Sequence, residues 1–164
     1  MQPKQEKRPV FLTIIGILSL ISIILALQGN LVAWFTGPSS ESEMMDQRVA
    51  LAELETAFED MGAEGITELT DSMTAILEQT NENFFLANGI NTIGSLCGLF
   101  GVLMMFRRRR LGFHLYIIYC LVATGGIFLY VRAADVPVLL TVSNLIMSAV
   151  FILMYGLNLK WMNR

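Results

Sequence analysis

Apolar positions fall into four long blocks, separated by short basic or polar turns and by one long acidic segment. Pro9 to Ser40, Asn83 to Phe106, Leu111 to Val131 and Val136 to Leu159 contain no Asp, Glu, Lys or Arg over 32, 24, 21 and 24 positions. A helix needs about 20 apolar residues to cross a hydrocarbon layer roughly 30 Å thick. Each block meets that length. In lipid every backbone N–H and C=O must be paired within its own segment, and these runs of Leu, Ile, Phe and Met do not alternate as barrel strands would. Four transmembrane helices are expected.

Between the first and second blocks the pattern changes to that of amphipathic helices. Thr36-Gly37-Pro38 is a breaker, and Ser40 followed three residues later by Glu43 has the spacing of a capping box, so a helix should start near Glu41. Met44, Leu51, Leu54, Phe58 and Met61 form one apolar stripe. After the Gly62-Ala63-Glu64-Gly65 break, Ile66, Leu69, Met73 and Ile76, with Leu77 beside them, form a second. Two such helices make an αα-hairpin whose stripes cover each other. Nothing from Ile66 to Phe106 obliges the helix to stop, so the second hairpin helix is expected to run on into the second span. Those 41 residues would reach about 60 Å at 1.5 Å per residue.

Composition agrees with a membrane protein and excludes an ordinary soluble domain. Of 164 residues, 54% are hydrophobic and only 15% charged, with a mean hydropathy of +0.59, whereas soluble domains carry about 25% charged residues. Charge distribution sets the orientation. Lys4, Lys7 and Arg8 precede the first block, Arg107 to Arg110 separate the second from the third, and Lys160 and Arg164 follow the fourth. Thr36 to Glu82 holds twelve carboxylates against the single Arg48, a net −11. Basic segments stay in the cytoplasm, which places both termini inside and residues 36–82 outside. Val10 to Leu27 is longer than a secretory signal core and no good small-x-small site follows it, so the first block reads as a retained anchor. The four-residue Arg107–Arg110 and Arg132–Asp135 turns make spans two to four antiparallel neighbours. Trp34, Phe35, Tyr130 and Trp161 fall at the interfaces.

The expected fold is therefore an all-α membrane protein: a four-helix antiparallel bundle with an extramembrane helical hairpin between spans one and two. It divides into 1–35, the N-terminus and first span; 36–82, the acidic hairpin; and 83–164, the remaining spans and a short C-terminus.

Polar residues inside the spans carry the functional argument. Counted from the outer ends, Gln28, Asn91, Thr124 and Asn144 reach nearly one depth, about 10 to 12 Å below the boundary. An unpaired amide there costs several kcal/mol, so the four are expected to face inward and bond to one another. Such a layer is either a clamp on helix register or the lining of a polar pathway. Thr141, Asn144, Ser148, Tyr155 and Asn158 share one stripe of the fourth span. Gly94 and Gly98, continued by Gly101, form a small-residue face that lets backbones approach closely, within the chain or between copies. Gly16, Ser19 and Ala26, and Gly112, Ala123 and Gly126, supply similar faces on the first and third spans.

Chemistry-bearing motifs are missing. The sequence has no Gly-rich phosphate loop, no His-Glu-x-x-His, no Gly-x-Ser-x-Gly and no calcium loop, and His114 is its single histidine. No catalytic residue, metal ligand or cofactor is assigned. Cys97 and Cys120 lie at matching depth but lack a Cys-x-x-Cys pairing, and apolar surroundings disfavour a reactive thiolate. They read as buried small hydrophobes, and a thiol oxidoreductase is the least favoured reading. Arg107, Arg108, Arg109 and Arg110 serve as a topology signal or as contacts to anionic headgroups. The acidic hairpin disfavours nucleic acid as a partner.

Lys-Arg-Pro-Val-Phe-Leu-Thr (Lys7 to Thr13) and Arg-Leu-Gly-Phe-His-Leu-Tyr (Arg110 to Tyr116) resemble segments at matching places in small, uncharacterised bacterial four-span membrane proteins. The resemblance covers about fourteen residues of the 164 and excludes the hairpin. It implies a bacterial cytoplasmic (inner) membrane and carries no activity. The expected function is that of a non-enzymatic accessory or scaffold protein in the lipid bilayer. Its hairpin, through Glu53, Glu55 and Glu59, would contact a membrane or envelope protein, and a homo-oligomer is compatible with this. The alternative is a small transporter or channel subunit using the polar layer.

Overall fold

The computed structural model describes residues 10–62 and 66–162. Lys4, Lys7, Arg8 and Arg164, the Ala63 to Gly65 part of the turn, and the Lys7 to Pro9 part of the resembling segment lie outside the described residues. Among the described residues six α-helices follow one another: α1 Val10–Thr36, α2 Glu41–Asp60, α3 Ile66–Glu82, α4 Phe84–Phe106, α5 Leu111–Gly125 and α6 Val138–Gly156. Tight 3-10 turns occupy Gly126–Leu129, Ala133–Asp135 and Leu159–Trp161. Among the described residues there is no strand. Helices α1, α4, α5 with its 3-10 extension, and α6 are long and apolar enough to cross a membrane.

The four long helices contact each other in the order α1–α4–α5–α6, and α6 also touches α1. Their core lies toward the arginine turn: Leu12, Ile15 and Ile23 from α1, Val102 and Met105 from α4, Tyr116 and Cys120 from α5, and Tyr155 from α6, with Met162 beyond it. Glycines set the spacing of α4 against its neighbours. A Cβ on Gly94 would stand 2.7 Å from Val122, one on Gly98 2.8 Å from the Tyr119 ring, and one on Gly101 2.9 Å from the Tyr116 backbone nitrogen. All three glycines are buried, so this face is filled within the chain, against α5 and, through Ile23, against α1.

Helix α6 buries only Tyr155. Leu139, Leu145, Ile146, Met147 and Leu153 are more than half exposed. An apolar surface of that extent marks contact with a membrane or with another protein rather than with water.

Local signals explain the boundaries. Ser40 caps α2 in a complete capping box: its hydroxyl accepts from the Glu43 backbone N–H, while the Ser40 backbone N–H donates to the Glu43 carboxylate at 2.7 Å. At the other end of the long helices, α4 stops in a Schellman motif. The Arg109 N–H reaches the Met104 carbonyl and the Arg108 N–H reaches that of Met105, both at 3.0 Å. This requires a left-handed residue after the helix cap, a place usually taken by glycine. Arg108 takes it, with φ 63°.

Two expectations need correction. The helix does not run unbroken from α3 into α4, because Asn83 leaves helical geometry at φ −102°, ψ 30°. Its side-chain amide donates to the Gln79 carbonyl at 2.9 Å and to the Tyr130 carbonyl at 3.2 Å, a competition with the ladder typical of Asn. The backbone bonds Asn83 to Gln79 and Ala87 to Asn83 persist, so only one residue departs. The second correction concerns the hairpin stripes. Met44, Leu51 and Phe58, seven residues apart, are half-buried, but Leu54 and Met61 are exposed. Helix α2 buries no residue, and α3 buries Thr70.

Candidate functional site

Three polar clusters tie the long helices together. The deepest joins α1, α5 and α6: the Tyr155 hydroxyl donates to Ser19 Oγ at 2.9 Å, and Ser19 Oγ lies 3.4 Å from the Tyr116 hydroxyl. The Tyr116 and Tyr155 rings meet edge to face at 4.7 Å. Polar groups removed from water this far must be satisfied by one another. A second cluster joins α1 to α4. Asn30 donates to Ser95 at 3.3 Å, Asn88 donates to the Asn30 carbonyl at 3.2 Å, and the Trp34 indole donates to Thr92 at 3.1 Å. The third is Thr124 with Ser148, 3.1 Å apart, between α5 and α6.

Between these clusters lie two adjoining cavities that share Tyr119 and Ala123. One, of about 180 Å³, is lined by Ser19, Ser22, Tyr116, Cys120, Asn144 and Ser148 among others. The other, of about 230 Å³, is lined by Asn30, Asn91, Gly94, Ser95 and Val122 among others. No charged residue lines either.

The expected single layer is accordingly redistributed. Among the described residues Gln28, Asn91, Thr124 and Asn144 form no hydrogen bond with one another. Asn91 and Asn144 line different cavities, Thr124 pairs with Ser148, and Gln28 is exposed on α1 outside both. Depth counting fixes position along a helix but not direction around it. Gln28 and Asn30 are two residues apart, about 200° around the axis, and Asn30 is the one that faces α4. Asn30, Asn88 and Ser95 were not singled out from sequence. For Asn88 and Ser95 the signal available was their common phase on α4, seven residues apart; no local signal marks Asn30 on α1.

The helix pair α2–α3 is held at its base and along its length. Ser39 N–H donates to Asn81 Oδ1 at 2.7 Å, and Asn81 returns a bond to the Ser39 carbonyl at 3.0 Å. Gln79 donates to Asp135 at 2.7 Å and accepts from the Arg132 backbone N–H at 2.8 Å. That amide fixes the end of α3 to the segment joining α5 and α6. Arg48 pairs with Glu78 across the two helices. Thr70 donates to Glu55 at 3.1 Å and Thr67 to Glu59 at 3.3 Å. Of the expected partner-binding carboxylates, Glu55 and Glu59 thus bond across the helix pair, while Glu53 is exposed on α2. A cleft of about 440 Å³ near the base is lined by Met44, Met45 and Arg48 with Glu41, Glu78 and Glu82 around them, among others. The Ser40 backbone N–H, and then its hydroxyl, hold the Glu43 carboxyl below the ordinary carboxylate range.

At the opposite end, the four arginines divide. Arg107, Arg109 and Arg110 are exposed, Arg108 is half-buried and stacks 4.4 Å over the Trp161 ring, and Arg110 Nε donates to the Met162 carbonyl at 2.9 Å. His114 Nδ1 lies 3.1 Å from the Arg110 carbonyl. Cys97 is half-buried and Cys120 buried, both as free thiols. Among the described residues no three His, Cys, Asp or Glu side chains gather as a metal site would require. No family model, curated protein or solved structure matches the chain.

Proposed function

We propose that the protein is a non-enzymatic accessory or scaffold protein of a bacterial inner membrane. In this reading α1, α4, α5 and α6 form an antiparallel bundle, with the arginine turn and both termini in the cytoplasm. The acidic α2–α3 hairpin stands on the outer side and binds another membrane or envelope protein. The observation that carries the reading is a helix with one face left uncovered. α2 is capped and braced against α3, yet it buries no side chain and leaves Met45 and Val49 exposed on one face with Glu53, and Leu54 exposed on another. Methionine-bearing surfaces adapt readily to a partner, and the surrounding carboxylates favour a basic one. Photo-crosslinking from position 49 in native membranes should give one discrete adduct, weakened by Glu53→Lys. A lack of any adduct from positions 45, 49 and 54 would count against the reading, and an adduct of twice the chain mass would identify the partner as a second copy.

A transporter or channel subunit is the second reading, favoured by the two adjoining uncharged cavities. It requires water to reach Asn91. In a variant lacking Cys97 and Cys120, a water-soluble thiol reagent should label Asn91→Cys. Complete protection there would remove it.

A further inference from the structure

We propose that the two adjoining cavities among α1, α4, α5 and α6 bind an uncharged lipid bearing carbonyl oxygens, admitted sideways from the bilayer. The inference rests on the reading that these helices cross a bilayer, and it does not require transport. Asn144 lines the first cavity, Asn91 the second, and Tyr119 both. Among the described residues none of these three makes a side-chain hydrogen bond, whereas Ser19, Tyr116, Asn30, Ser95 and Ser148 around them are all paired. Two amides and a phenol thus hold donor hydrogens without an acceptor, well inside helices where an unpaired polar group is costly. A carbonyl oxygen complements each of them.

The lining and the opening decide the class of ligand. No charged residue lines either cavity, so a charged group entering there would go uncompensated. Ser22 and Ala26 on α1, Ala123 on α5, and Asn144 and Met147 on α6 line the cavities and are exposed. Each stands six or more residues inside the ends of its apolar helix, about 9 Å or more at 1.5 Å per residue. The mouth therefore faces hydrocarbon. Either cavity alone is smaller than the roughly 300 Å³ of the smallest usual ligand pockets, but joined at Tyr119 and Ala123 they enter that range. The Tyr119 ring packs against Gly98, which fixes it from behind. A quinone brings two carbonyls on a flat ring and a diacylglycerol two ester carbonyls on a flexible glycerol, and both present the same acceptors to these donors.

Native mass spectrometry of the detergent-purified full chain titrated with decylubiquinone, dioctanoylglycerol or dioctanoyl phosphatidylglycerol separates the two sources. The third lipid carries the same esters as the second and adds a charge. The expected result is one retained copy of decylubiquinone or of dioctanoylglycerol and none of the phosphatidylglycerol; whichever uncharged lipid binds identifies the source. Tyr119→Phe and Asn144→Leu each remove a donor at nearly constant volume and should weaken retention about fivefold, the loss expected for one neutral hydrogen bond. Ala123→Phe fills the shared mouth and should abolish it, while Gln28→Leu, outside both cavities, should leave it unchanged. Equal retention of the phosphatidylglycerol, or equal loss in Gln28→Leu and Asn144→Leu, would overturn the site in favour of a nonspecific lipid coat. Carbonate extraction of the membranes tests the spanning reading separately: a protein that stays in the pellet but retains neither uncharged lipid refutes the cavity site alone.

Discussion

Gly112→Ala is the substitution to which the packing of the long helices should be most sensitive. A Cβ at this position would stand 2.5 Å from the Gly101 carbonyl oxygen, 2.6 Å from the Met105 backbone nitrogen and 2.9 Å from Met104 Cβ. Ordinary contact begins near 3.5 Å, so a shift of about 1 Å is required. The two nearest atoms belong to the α4 backbone, and no change of rotamer can supply that shift. Helices α4 and α5 must separate, which also loosens Tyr116 against Gly101 and hence the bond network of Ser19 and Tyr155. Overpacking of this kind costs about 3 kcal/mol at the upper end of its usual range, offset by about 1 kcal/mol gained from replacing glycine in a helix. The net loss is then about 2 kcal/mol. Gly125→Ala is the internal control, because no atom lies within 4 Å of the new methyl and the propensity gain of up to about 1 kcal/mol stands alone. Reversible denaturation by dodecyl sulfate in mixed micelles, followed by circular dichroism, should separate the two variants by about 3 kcal/mol when these terms are combined. Equal stability of Gly112→Ala and Gly125→Ala would refute the close backbone approach.

Three further outcomes follow from the same contacts. Tyr155→Phe removes the donor to Ser19 and should cost about 1 kcal/mol in the same assay, in the range of interhelical bonds in membranes; no measurable loss would show that the hydroxyls do not pair. Gln79→Ala deprives the Arg132 N–H of its acceptor, so hydrogen exchange at that amide should accelerate by about tenfold, and an unchanged rate would detach α3 from the loop. The capping box should respond to acid. Because folding lowers the Glu43 pKa, its contribution is complete above the unfolded value and is lost as pH falls through the lowered folded value. Exchange at the first amides of α2 should therefore rise in that acidic range in the wild type and lose this pH dependence in Glu43→Gln.

The helices long and apolar enough to span a membrane, the turns between them and the cap of α2 were legible in the sequence because each is specified by neighbours. Length and the absence of charge mark α1, α4, α5 and α6, and the Ser40–Glu43 spacing marks the start of α2 within one turn. The Gly94, Gly98, Gly101 face was legible for the same reason, since small residues at helical spacing can only permit close approach. What failed was direction around an axis and pairing across long separations. Gln28 and Asn30 have nearly the same depth, yet only Asn30 meets Ser95. The Gln79 bond to Asp135 spans 56 residues, and no local pattern announces it. The break at Asn83 has a local cause, an amide able to compete for a carbonyl, but it is recognisable only once the Tyr130 carbonyl is seen within reach. Arg108 illustrates the opposite difficulty: a tetra-arginine turn reads as charge alone, whereas one member must adopt a glycine-like backbone and lies over an indole.

Four helices crossing a bilayer would put the acidic helix pair and the arginine turn on opposite sides. Single cysteines at Glu53 and at Arg109, introduced into a variant without Cys97 and Cys120 and treated with a membrane-impermeant maleimide on sealed right-side-out vesicles, test it directly. Glu53→Cys should label in intact vesicles and Arg109→Cys only after permeabilisation. Labelling of both sites in intact vesicles, or the reverse pattern, would contradict the account.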